Sequence, residues 1–182
     1  TDFFSKKVRT LHGTFDAYFL VFIHLGSRKV FCSPVTYHPN EEWVLQQARN
    51  ASMWMDDLGI SLKYLIHDRD TKFSSKFRAF WKDESVRCIK TPFKAPRANA
   101  YVENWIGGLK RECLNHLICF SSKQADYAVR TWVKHYNEKR PHRGNGMNND
   151  VLDRDFVPLS EGCIKCDEKL GGLITEYYRE AA

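Results

Sequence analysis

Tyr18 to Leu25 is an almost unbroken apolar run of aromatic and branched residues, a pattern that predicts a strand buried on both faces. Gly26-Ser27 stops it, and Arg28 to Thr36 returns as a second strand, so the two read as a hairpin. The chain also opens in strand-like fashion, with Thr1-Asp2-Phe3-Phe4. Asn40 is placed to cap a helix in which Trp43, Val44, Gln47, Ala48, Ala51 and Met55 recur at helical spacing up to Leu58-Gly59. Leu62 to Ile66 reads as a short strand running straight into His67-Asp68-Arg69-Asp70. Ser74 to Trp81 predicts a short helix and Val86 to Ile89 another strand. After a proline-stiffened loop, Pro92 to Arg97, a long helix is expected from about Asn99 to His116 and a second from Ser122 to Asn137. From Gly144 onward the chain mixes Asn, Gly and acidic residues, and no element is assigned there. This order predicts an α/β fold, a mixed sheet flanked by helices, with right-handed crossovers between parallel strands.

At 182 residues the chain is long enough for one domain with a real core. Its 43% hydrophobic and 14% aromatic content excludes intrinsic disorder, collagen-like repeats and a simple coiled coil. Lys and Arg outnumber Asp and Glu by 28 to 22, giving a net charge of +6, which suits a polyanionic partner or simply a solvated basic surface. No apolar run has bilayer-spanning length, so no membrane partner is expected. Opening without Met and inside a strand, the sequence predicts further residues upstream. Six scattered cysteines, most in apolar patterns, suit buried thiols in a reducing cytosol better than a disulfide framework. Cys163-Ile-Lys-Cys166 lacks a second pair at zinc-site spacing and reads as two ordinary thiols.

Three acids change the picture. Asp2 lies in an apolar strand start, Asp68 at the carboxyl end of a strand, where ligands of α/β sheets bind, and Glu103 near the start of the long helix. Glu103 and Lys110 flank the apolar stripe formed by Val102, Trp105, Ile106, Leu109 and Cys113. Singly, Asp68 is explained as a strand end and Glu103 as a helix N-terminal acid. Together the three are hard oxygen ligands suited to Mg²⁺ or Mn²⁺. Two such ions roughly 3.5 to 4 Å apart support phosphoryl transfer.

His67-Asp68-Arg69-Asp70-Thr71-Lys72-Phe73, Pro96-Arg97-Ala98-Asn99-Ala100-Tyr101-Val102-Glu103 and Leu109-Lys110-Arg111-Glu112-Cys113-Leu114 resemble the integrase catalytic core family, which includes bacterial insertion-sequence transposases and retroviral integrases. Tyr136-Asn137-Glu138-Lys139-Arg140-Pro141-His142-Arg143 is similar to the signature that follows the core in the bacterial members. The resemblance covers about residues 1–145, leaving 146–182 as a C-terminal extension, and implies a ribonuclease H-like fold with Asp2, Asp68 and Glu103 as catalytic and metal-holding residues. It further implies metal-dependent DNA strand cleavage and strand transfer, with element ends and target DNA as partners, a homo-oligomer on DNA, and a place at the nucleoid in the bacterial cytoplasm. The alternatives are an inactive copy that binds DNA or a partner transposase, and a nuclease without joining activity. Asp68 and Glu103 are separated by 34 residues, one fewer than is usual in the family. Asp70 stands where many members carry Gly, as a turn residue or an acid beside the site, and Gly107-Gly108 soften the catalytic helix. Lys90, Lys94, Arg97, Lys110, Arg140 and Arg143 are the expected phosphate contacts, with a solvated surface as the alternative for each. For Lys110 an ion pair with Glu103 competes with that reading.

Overall fold

In the computed structural model, which describes residues 1–92, 99–143, 150–153 and 156–180, the chain starts with a long antiparallel hairpin. Its strands are β1 (Asp2–Thr10) and β2 (Gly13–Ile23), paired from Asp2 opposite Val21 to Thr10 opposite Gly13. The expected opening strand thus runs well past Phe4. Its outer half conceals the strand pattern because Lys6 takes a core-facing position between Phe4 and Val8. The Lys6 ammonium donates to the Leu114 and Leu117 carbonyls, the latter at 2.7 Å, so a cation stands where alternation calls for an apolar residue.

The hairpin at Gly26-Ser27 is present, but β3 spans only Val30–Cys32. Ser33 ends it by using its hydroxyl to accept from Leu20 N at 2.8 Å, and Pro34 follows. Helix α1 (Glu41–Asp57) is capped by Asn40, whose Oδ1 accepts from Trp43 N at 2.9 Å, and it buries Val44, Gln47, Ala48, Ala51 and Met55 as the spacing requires. Strands β4 (Tyr64–His67) and β5 (Arg87–Lys90) are parallel, with α2 (Ser75–Asp83) as their crossover. The Thr1 amino nitrogen donates to Ile66 O at 2.8 Å, joining the edge of the three-stranded sheet β1-β2-β3 to the β4-β5 pair.

Successive residues of β2 enter different cores. Phe19 and Val21 pack with Phe4, Trp105, Leu109, Val129 and Trp132, while Leu20 and Phe22 pack with Val44, Ala48, Met55, Phe77 and Trp81. A strand covered by helices on both faces needs an unbroken apolar run, and each such side chain contributes about 1.5–3 kcal/mol on burial.

Helix α3 (Ala100–Glu112) is shorter than expected: Cys113 leaves helical geometry and a 3₁₀ turn, Leu114–His116, follows. Lys6 takes up carbonyls beyond this break. Helix α4 (Ser122–Glu138) starts at a reciprocal cap, Ser121 accepting from Gln124 N and Gln124 accepting from Phe120 N. The C-terminal stretch, where no element was assigned, contains an antiparallel hairpin of β6 (Ile164–Lys169) and β7 (Ile174–Arg179). Ile174 and Leu152 join the core shared by Phe4 and Trp132. The proposed division near residue 145 lies outside the described residues. Among the described residues, no helix is long and apolar enough to cross a membrane.

Candidate active site

Asp2 begins β1 at the point where that strand meets β4 through Thr1. Both of its carboxylate oxygens accept hydrogen bonds, Oδ1 from Phe3 N at 2.7 Å and Oδ2 from Asn99 Nδ2 at 3.2 Å. Partial burial pushes this carboxyl above its ordinary value, and the negative charges of Asp68 and Glu103 push the same way, against the Phe3 hydrogen bond and the positive Thr1 amino group. The other two acids come from separate elements.

Asp68 directly follows β4 and is half-buried. Its Oδ1 accepts from Asp70 N at 3.0 Å, a tight turn that fixes the carboxylate against its own loop. Asp70 itself pairs with Lys72 at 2.8 Å and accepts from Lys72 N, which bears out its reading as a turn residue. The preceding His67 is fully buried, with its ring against Phe73 and Phe77. Since a carbonyl only accepts, His67 Nδ1 is the donor to Asp68 O at 2.6 Å, and Nε2 is buried without a partner among the described residues.

Glu103 is exposed in the first turn of α3. Asn99 occupies the N-cap position but makes no side-chain cap; its amide turns instead to Asp2 and, at 3.4 Å, to Thr1 O. The sequence marks Asn99 as a motif member and as the start of the long helix, and an Asn preceding a helix reads first as its cap. Among the described residues, none of Asp2, Asp68 and Glu103 forms an ion pair with Lys or Arg, and Glu103 does not pair with Lys110. Also among the described residues, no three His, Cys, Asp or Glu side chains are gathered tightly enough to hold a metal ion.

Of the expected basic contacts, Lys90 is exposed at the end of β5 and Lys110 is half-buried on α3. Arg143 is exposed, and Arg140 is held at 2.7 Å by Glu112, with its guanidinium 5.8 Å from the Tyr136 ring centre. Lys94 and Arg97 lie outside the described residues. Cys163 and Cys166 are exposed free thiols, unlike buried Cys113 and Cys119, and burial pushes the Cys113 thiol up to about 11.

This fold is that of retroviral integrase catalytic cores. A chain of the simian T-cell lymphotropic virus intasome, solved in complex with PP2A regulatory subunit B56 gamma, superposes with a TM-score of 0.61 at 12% identity, covering 98% of this chain and 66% of that one. The HTLV-2 integrase catalytic core domain in complex with magnesium gives 0.53 at 14% identity, covering 80% and 88%. Residues 84–148 match the family model described as integrase core domain. An insertion element IS476 uncharacterized 39.2 kDa protein of Xanthomonas euvesicatoria is 35% identical over 80 residues, which span 43% of this chain and 23% of that protein. The resemblance to the integrase core family drawn from the motifs is borne out, as is the ribonuclease H-like α/β fold.

Proposed function

We propose that this chain is a catalytic core for metal-dependent DNA strand cleavage and strand transfer, of the kind used in transposition and DNA integration, acting as a homo-oligomer on DNA in the bacterial cytoplasm. The observation that carries this reading is that Thr1 N donates to Ile66 O, which joins the strand of Asp2 to the strand that leads into Asp68, and that Asn99, four residues before Glu103, donates to Asp2 Oδ2. By their chemistry, three hard oxygen donors with no Lys or Arg paired to them among the described residues suit a divalent cation, although their side chains are not gathered into a metal-holding group here. When bound, Mg²⁺ or Mn²⁺ supplies activation of the attacking oxygen and stabilisation of the leaving oxygen at a phosphodiester. Asp2, Asp68 and Glu103 hold the ions, and Lys90, Lys110 and Arg143, with Lys94 and Arg97 of the proline loop, contact phosphates of the element ends and target DNA. Arg140 joins them only where it leaves Glu112.

The test is strand joining with Mn²⁺ or Mg²⁺ by the chain and by Glu103→Gln. The amide keeps the side chain's size but loses the charge, so joining is expected to disappear while the fold and duplex affinity persist. Unchanged joining by Glu103→Gln overturns the assignment. The second reading, an inactive copy that only binds DNA, is favoured by the spread of the acids, none of which is gathered with two others into a metal-holding group among the described residues. It gains if the unmutated chain binds duplex but neither cuts nor joins it under any divalent metal.

A further inference from the structure

Asn99 is 9% exposed, stands at the N-terminus of the helix that carries Glu103 and binds the Asp2 carboxylate through its side chain. Its side-chain Nδ2 donates to Asp2 Oδ2 at 3.2 Å and to Thr1 O at 3.4 Å, while its main-chain carbonyl accepts the ordinary helical bond from Glu103 N at 3.1 Å. An Asn at this position ordinarily turns its oxygen to the free amides of the first helical turn; here that cap is absent. Because a carboxylate and a carbonyl only accept, the amide nitrogen must face Asp2 and Thr1. The other Asp2 oxygen is fixed by Phe3 N at 2.7 Å, so the whole carboxylate is oriented by neutral donors.

We propose that Asn99 is a positioning residue for divalent-cation binding, setting the orientation of the Asp2 carboxylate and the placement of Glu103 relative to it. This rests on the metal reading given above and adds a residue to it. The chemistry favours Asn at this place. A Lys or Arg reaching Asp2 would neutralise it and compete with a cation, whereas an amide orients the carboxylate and leaves its full negative charge available. Its side chain ties the N-terminus of α3, the helix that carries Glu103, to the start of β1. Asn99 touches no reacting atom in this scheme; it acts through Asp2 and Glu103.

The experiment uses the full chain and Mn²⁺ alone, with free Mn²⁺ followed by electron paramagnetic resonance and thermal melting recorded without metal. The unmutated chain is expected to bind Mn²⁺, Asp2→Asn to lose that binding, and Asn99→Ala to bind about 10-fold more weakly or worse while remaining folded at the titration temperature. If Asn99→Ala melts too low to titrate, Asn99→Ser, which keeps a small polar side chain, is read in the same way. A purely structural role lowers the metal-free melting temperature and leaves the Mn²⁺ affinity of the folded protein unchanged, and that result overturns the proposal. A different failure is equally readable. If Asp2→Asn and the unmutated chain bind Mn²⁺ alike, the metal reading itself falls, and the role of Asn99 with it.

Discussion

Asn137 makes both of its amide hydrogen bonds to a single residue, accepting from Val30 N at 2.9 Å and donating to Val30 O at 2.8 Å. It completes the outer edge of β3 as a strand would. The rest of the Tyr-Asn-x-x-Arg-Pro-His stretch is equally structural. Tyr136 stacks on Trp132 and meets Trp105 edge-on, and its carbonyl receives His142 Nε2 at 3.0 Å. Arg140 ties this end of α4 to Glu112 at the end of α3, the helix that carries Glu103. Asn137→Ala strands two backbone groups of a buried strand, so a loss of about 2–4 kcal/mol is expected in urea unfolding. A loss below about 0.5 kcal/mol would remove the strand-mimic role.

Lys110 has no ion pair among the described residues, whereas Arg140 is engaged by Glu112. Lys110→Ala is therefore expected to reduce the log-log salt slope of duplex binding by about 0.9, with weaker affinity across all sequences. Arg140→Ala is expected to change the slope less and stability by under about 1 kcal/mol, since its ion pair is partly exposed. Salt titrations of both variants against random duplex decide between them, and equal slopes would reverse the assignment.

Gly107 and Gly108 lie inside α3, and neither has the positive φ or the close backbone approach that demands glycine. A methyl group at Gly108 meets nothing nearer than Glu112 Oε1 at 3.9 Å. Gly108→Ala is expected to raise stability by about 0.5–1 kcal/mol through helix propensity. If it also leaves joining unchanged, these glycines are no sign of a lost activity; a fall in stability would reveal packing that the helix does not display.

Acid is expected to weaken the fold through buried histidines. Burial lowers the His142 imidazole, and Arg140, Arg28 and His135 lower it further against the Tyr136 hydrogen bond; burial lowers His67 as well. Below the ordinary value of 6.5 the unfolded chain takes up protons that the folded chain refuses, so stability is full above that pH and declines as pH falls through it. Melting temperature should drop between about pH 7 and pH 5, and the drop should be shallower in His142→Gln. A slope identical to that of the unmutated chain would exclude His142 as a source.

Legibility in the sequence followed how closely each segment obeys a periodic pattern. The apolar run of β2 and the spacing in α1 announce two-sided and one-sided burial; α1 forms as expected, and β2 forms over the run up to Ile23 but starts earlier, at Gly13. Asp68 was visible as an acid ending a strand. The outer half of β1 was not legible, because Lys6 faces inward to reach carbonyls more than a hundred positions away. The donor role of Asn99 was hidden for the same reason: its partners, Thr1 and Asp2, are distant in sequence. Strands β6 and β7 carry charge on both faces and bury only Ile174, so no alternation marks them.

What holds that last hairpin to the core is Glu176 on β7. It receives Lys169 Nζ at 2.5 Å from β6 and lies 2.9 Å from His135 Nδ1 on α4, with its own side chain 9% exposed. Burial works to raise this carboxyl, but the hydrogen bonds from Lys169 and His135 outweigh it and hold it below the ordinary value of 4.5. A depressed carboxylate contributes stability that is present above the unfolded value and lost as pH falls through the folded one. An isolated two-stranded hairpin is marginal in water, so its order depends on such contacts and on Ile174. Glu176→Gln keeps the shape but removes the charge shared by Lys169 and His135. The expected outcome is local: amide hydrogens of β6 and β7 exchange at least about 10-fold faster, while those of β2 are unchanged. If β2 and β7 accelerate together, the hairpin is part of the global unfolding unit rather than a separately docked element. If neither changes, Ile174 and Leu152 alone hold it in place.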